Sequence, residues 1–229
     1  MASEARVVAK KRQKRIPLTY VVALVPVAAA LNIVGGYINT VLKLPTFLDM
    51  IGTAVVAIVL GPWWGALVGA ITNIVNSFIS GPISLPFAAC NVVGALVWGY
   101  AHQWGWMRKQ WSFFLVNVLT ALFVTLTAVP IYVFIFGGAT GHFADLMTAA
   151  FVGMGQNLIV SVFSSNILVS LADKIISGYV ALAIIEALPT NLTEGLKLPE
   201  AQGLRKIIVP LVGVIIGAAI IVIALAVAK

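Results

Sequence analysis

The sequence predicts an all-α integral membrane protein. Three observations carry this. Of 229 residues, 61% are hydrophobic and only 9% charged, where a soluble domain typically carries about 25% charged residues. The mean hydropathy is +1.07. Apolar runs recur along the chain at lengths near the roughly 20 residues that a helix needs to cross a bilayer. Backbone polar groups in lipid must be satisfied within the segment, so these runs are helices and not isolated strands.

The net charge of +7 is unevenly spread. Arg6, Lys10, Lys11, Arg12, Lys14 and Arg15 all precede the first apolar run. A basic cluster abutting a hydrophobic segment marks a cytoplasmic end facing anionic lipid, and no soluble basic domain is present to suggest nucleic acid. Residues 1–15 form this basic segment. The start mimics a secretory leader, with Ala28-Ala29-Ala30 as its small-residue site, but the apolar run continues to Leu42 and reads as an uncleaved first helix.

Seven spans are expected, at Ile16–Leu42, Phe47–Leu60, Trp63–Ser80, Ile83–Trp106, Trp111–Phe136, Ala172–Leu188 and Ile207–Ala228. Gly61-Pro62 and Gly81-Pro82 mark sharp turns. Leu146–Leu171 is apolar but studded with Gln156, Asn157, Ser161, Ser164, Ser165, Asn166 and Ser170. Leaving it outside the spans puts slightly more Lys and Arg on the inner side, so it is expected to lie at the outer face. An odd number of spans then puts the N-terminus inside and the C-terminus outside. Pro189–Gly203 reads as a cytoplasmic linker, and the last helix, nearly pure Val, Ile, Ala and Leu, as a lipid-facing anchor.

Enzymatic chemistry has no foothold. There is no G-x-x-x-x-G-K-[ST] phosphate loop, so no ATP hydrolysis is expected. Two histidines and the lone Cys90 offer no convergent metal set, and no cofactor is expected. His142 and Asp145 read as members of a solvated outer loop. Asp49 and the adjacent Asp173 and Lys174 fall at span starts, and the lack of ionisable groups that must lie mid-span argues against an ion-coupled carrier.

Uncharged polar side chains are the better candidates. Thr72, Asn73, Asn76 and Ser77 cluster in the outer half of the third span, and Asn73 and Asn76 share a helix face. Together with Leu44, Pro45 and Phe47 in the preceding loop, and Asn91 in the fourth span, they form the expected ligand site. Pockets for small organic molecules combine apolar walls with a few placed polar groups.

Three stretches resemble a known family. Leu48-Asp49-Met50-Ile51-Gly52-Thr53, followed by Leu60-Gly61-Pro62-Trp63-Trp64-Gly65, resembles the second helix of the substrate-binding S components of energy-coupling factor (ECF) transporters. Phe136-Gly137-Gly138-Ala139-Thr140-Gly141 with Asp145-Leu146 and Gly155-Gln156 is a second match. Asp173-Lys174-Ile175-Ile176-Ser177-Gly178-Tyr179-Val180-Ala181-Leu182, ending in Leu188-Pro189, resembles the family's final helix. The resemblance covers roughly residues 16–190.

The resemblance implies a six-helix S-component bundle, here with an extra C-terminal transmembrane helix within residues 191–229. It implies a multi-pass protein of a prokaryotic plasma membrane that binds a vitamin-like or cofactor-like molecule near the outer face. Its partners would be one transmembrane scaffold subunit and two ATPase subunits, with transport by toppling of the whole S component. Ala23, Ala28, Ala29 and Ala30 are the matching candidates for scaffold contact. The competing readings are a membrane sensor or receptor module and a stand-alone secondary carrier.

Overall fold

The computed structural model describes residues 17–199 and 203–227, so the basic N-terminal cluster lies outside the described residues. The helices are α1 Leu18–Leu42, α2 Ile51–Val59, α3 Pro62–Ile79, α4 Ala88–Gln103, α5 Gln110–Pro130, α6 Ala144–Gly153, α7 Leu158–Ala187, the single turn α8 Thr190–Thr193, and α9 Arg205–Val227. No strand occurs among the described residues. Four segments, Leu18–Leu42, Pro82–Gln103, Gln110–Ile135 and Leu158–Ala187, are long and apolar enough to cross a membrane.

Five of the six tryptophans, Trp63, Trp64, Trp104, Trp106 and Trp111, are exposed and flank the α2–α3 and α4–α5 turns. Arg108 and Lys109 lie at the same end. Aromatic belts and inner-side basic residues mark a membrane interface. This is the inner end, and the Leu42 end of the bundle is the outer one.

The expected second span is a helix only over Ile51–Val59. At about 1.5 Å per residue this cannot cross a bilayer alone. Instead Gly52–Val59 are all buried. A helix that is apolar all round belongs in the interior, and α2 is the central post that α1, α3, α4 and α7 surround. Gly52 makes this possible, because a Cβ there would meet the Ala28 carbonyl oxygen at 2.1 Å. The following turn uses Gly61 at φ 113° and Pro62 at the first position of α3, where its missing N–H costs nothing.

The placement of 146–171 at the outer face needs correction. The short α6 sits there, but residues 158–171 belong to the continuous helix α7. Of the polar residues that made this stretch look interfacial, Gln156 and Asn157 are exposed before α7, and four within α7 are buried. Ser161, Ser165, Asn166, Ser170, Asp173 and Ser177 are all buried, and Asn166, Ser170, Asp173 and Ser177, spaced three or four apart, share one helix face. In a membrane bundle, polar groups turn toward the protein and apolar ones toward lipid, so the amphipathic pattern is inverted.

α9 runs antiparallel to α7 and packs closely on it. A Cβ at Gly213 would meet the Tyr179 ring at 2.1 Å, and one at Gly217 would meet Ile176 at 2.4 Å. Its other face, including Ile207, Leu211, Ile215 and Val222, is exposed.

Candidate ligand site

A cavity of about 820 Å³ opens among the outer ends of α1, α3, α4, α5 and α7. Ligand pockets run from about 300 to 1,000 Å³. Its upper walls come from Tyr37, Asn39 and Leu44 of α1 and the loop after it, and from Asn76 and Ile79 of α3. Its depth is lined by Asp49, Met50, Cys90, Asn91, Asn166 and Lys174.

The floor rests on a polar network that ties four helices together. Asn32 donates to the hydroxyls of Thr53 (2.9 Å) and Thr72 (3.1 Å), and its Oδ1 accepts the Gly52 N–H at 2.7 Å. The Thr53 hydroxyl donates to Asn91 Oδ1 at 2.9 Å. Asn91 in turn donates to Asp49 Oδ2 at 3.2 Å. Asn32, Thr53, Thr72 and Asn91 are each 1% exposed or less. Buried amides and hydroxyls without partners cost about 1–3 kcal/mol each, and here each is partnered.

The loop between α1 and α2 is held from two sides. Asp173 Oδ1 accepts the backbone N–H groups of Phe47 (2.9 Å) and Leu48 (2.7 Å). Leu48 sits at φ 55°, a left-handed conformation that a branched residue adopts only when its surroundings impose it. The other Asp173 oxygen pairs with Lys174 Nζ. The Lys174 ammonium also lies 5.5 Å from the centroid of the Phe47 ring. On the other side, His142 Nε2–H donates to the Thr46 carbonyl at 2.8 Å, while Nδ1 accepts the Ala144 N–H at 3.1 Å. The imidazole stacks on Phe47 with centroids 4.5 Å apart. Burial pulls the His142 pKa below its ordinary value, and the backbone bond to Thr46 and the charges of Asp145 and Asp173 oppose this.

Two sequence expectations change here. Asp173 and Lys174 are not at a span start; they occupy the middle of α7, 0% and 1% exposed. The argument that ionisable groups were missing from the spans therefore falls. His142 and Asp145 are not a solvated pair. His142 is mostly buried at the cavity rim, and Asp145 Oδ2 accepts the N–H groups of Thr140 (2.8 Å) and Gly141 (2.6 Å).

Of the expected site residues, Leu44, Phe47, Asn73, Asn76 and Asn91 line the cavity, while Pro45 and Ser77 do not. Pro45 is buried within the loop, and the Ser77 hydroxyl turns back to the Ile74 carbonyl. Asn73 Nδ2 donates to the Gly69 carbonyl of its own helix at 3.0 Å. Sequence reasoning missed Lys174, Asp49, Tyr132 and His142 as lining residues. Among the first-helix alanines, Ala28 and Ala29 are 4% and 3% exposed and taken up by packing within the chain. Ala23 and Ala30 face outward.

The sequence profile of the family "ECF transporter, substrate-specific component" matches residues 20–196. The chain belongs to this family. It is therefore a membrane-embedded, substrate-binding subunit of an ECF transporter. Family members act as transporter subunits and associate with scaffold and ATPase subunits. No curated protein and no solved structure matched the chain. Helix α9 lies beyond the matched residues.

Proposed function

We infer that this S component captures a vitamin-like or cofactor-like molecule at the outer face of a prokaryotic cell membrane. One scaffold and two ATPase subunits would drive its uptake. The observation that carries this reading is the large outer-end cavity, with aromatic walls and a polar floor held in place by satisfied hydrogen bonds. A preformed site binds without a large ordering cost. The loop from Lys43 to Met50 closes one side of the cavity, and the bonds from Asp173 and His142 hold it there. Energy would come from outside the chain, since it carries no phosphate loop.

The outward-facing Ala23 and Ala30 of α1 are the part of the alanine pattern open to a scaffold helix. Small residues let helix backbones approach closely. Domain organisation follows: a basic segment at 1–15, the S-component bundle at 16–190, and a linker with the additional helix at 191–229.

Reconstitution tests the reading. Proteoliposomes containing this chain alone should bind ligand but not accumulate it, with or without ATP. Adding scaffold and ATPase subunits should give ATP-dependent accumulation. Uptake by the chain alone, driven by a proton or sodium gradient, would contradict this.

A further inference from the structure

Lys43, Lys174, Asp49 and Asp145 are the charged residues that line the cavity, and Asp173, outside that lining, takes up Lys174, which leaves one negative charge in excess. Asp173 Oδ1 accepts two backbone N–H groups and its other oxygen pairs with Lys174. Lys174, 1% exposed, is thereby already neutralised. Asp49 remains, and it lines the cavity with the Asn91 amide on its Oδ2, a backbone hydrogen bond of its own, and no cation in direct contact. Two carboxylates thus share one ammonium at the deep end. An uncompensated charge out of water is costly unless something pairs with it.

The unpartnered polar atoms point the same way. Asn39 is 6% exposed and its Oδ1 is buried without a hydrogen-bond partner. Asp145 Oδ1 is likewise buried and unpartnered. Both residues line the cavity. These are two acceptors in want of donors, in the same cavity as the Asp49 carboxylate. Phe47, Phe87, Tyr132 and His142 supply flat rings to the same cavity.

We propose that the cavity selects a cationic ring compound, one that directs a protonated or N–H-rich nitrogen at Asp49 and excludes anions of the same size. This rests on the reading of the cavity as the substrate site. A ligand acceptor group can still reach the remaining Lys174 N–H groups, so the site suits a molecule with a cationic centre and a neutral acceptor. It does not suit a carboxylate-tailed molecule, which would add charge to an already negative floor.

The test uses the purified full-length protein in detergent and a fixed set of probes. Thiamine and pyridoxamine are cationic rings, riboflavin is a neutral one, and biotin and pantothenate are anions. Calorimetry and ligand-induced melting shifts are read for wild type, Asp49→Asn and Gly36→Leu. A Cβ at Gly36 sits 3.6 Å from both Asn76 Nδ2 and Asp49 Cβ, so the larger leucine fills the cavity without a backbone clash.

A cationic probe should bind wild type and bind Asp49→Asn roughly 10- to 100-fold more weakly, the loss of one charge-assisted hydrogen bond. The apo melting temperature of Asp49→Asn should hold or rise. Gly36→Leu should abolish binding of that probe. An anionic probe binding wild type, a cationic probe indifferent to Asp49→Asn, or no binding by any cationic probe would overturn the charge assignment. Binding that survives Gly36→Leu would instead overturn the cavity as the site, a distinct result.

Discussion

The amides of this protein fall into two groups that differ in how completely they are bonded. Asn32, at the junction of α1, α2 and α3, spends both donors and its acceptor on Thr53, Thr72 and Gly52. Asn76, on the cavity wall, is half-exposed, and Asn39 leaves its oxygen unpaired. The residue type is the same, but Asn32 lies beneath the cavity and Asn39 and Asn76 line it. A closed network fixes helices; an open amide waits for a partner. Ligand residues in such a bundle are recognised by what their polar atoms lack.

The largest effect should come from breaking the ion pair that anchors the cavity loop. Asp173→Ala takes from the Lys174 ammonium its directly bonded partner and releases the Phe47 and Leu48 N–H groups. Removing one partner of a buried pair costs about 3–5 kcal/mol. The variant should melt far below wild type in detergent. Asp173→Leu combined with Lys174→Met should recover part of that loss, because both members of the pair are removed together. If the double variant is no better than the single one, the pair is not what holds this region.

Next in size is Asn32→Ala. It leaves the Gly52 N–H without its partner and removes one donor from each of two hydroxyls that keep their bonds to Asn91 and Val68, at about 2–3 kcal/mol. Melting should fall while ligand affinity in the folded fraction stays the same. Reduced affinity at unchanged stability would erase the distinction between closed and open amides.

Asn76→Ala sharpens the comparison from the other side. Affinity should fall by roughly 5- to 30-fold, about 1–2 kcal/mol, with the apo melting temperature little changed. Asn73→Ala should show a mixed result, since its amide already bonds the Gly69 carbonyl. Lowered melting with unchanged affinity in Asn76→Ala would make it another piece of structural glue.

Much of the fold was legible because hydropathy in a membrane protein is a strong signal. Leu18–Leu42 and the Gly-Pro turns at 61–62 and 81–82 follow directly from apolar run length and from proline's missing donor. α7 was harder. Its first half carries so many serines and asparagines that composition suggested an interface, and only the inward turn of Ser161, Ser165 and Ser170 accounts for them. The site was half legible. Asn73, Asn76 and Asn91 stood out as polar residues in apolar helices. Lys174 and Asp173 did not, since locating them at a span start hid their burial. A signal existed in the polar stripe that they continue at three- to four-residue spacing. The closure of the loop by His142 depends on a contact between residues 46 and 142, a long-range pairing that no local pattern encodes.

The smallest expected effect is a pH dependence carried by that closure. His142 sits outside the spans, is neutral with its Nε2 proton on the Thr46 carbonyl, and has its pKa lowered by burial. In the unfolded chain it titrates near 6.5. A depressed folded pKa means that the unfolded state takes up the proton first as pH falls. The stability is therefore fully present above about pH 6.5 and is lost progressively below it, until the folded-state pKa is reached. The slope for one group cannot exceed roughly 1.4 kcal/mol per pH unit. Protonation also places a donor at Nδ1, where the Ala144 N–H now points, so the loop bond to α6 is lost with it. Melting temperatures of the apo protein between pH 8 and pH 5 measure this. His142→Gln keeps a donor for Thr46 and removes the titration, so it should flatten the acid limb while leaving the neutral-pH melting temperature close to wild type. An identical acid limb in wild type and His142→Gln would assign the pH dependence to other groups and leave the latch a purely geometric one.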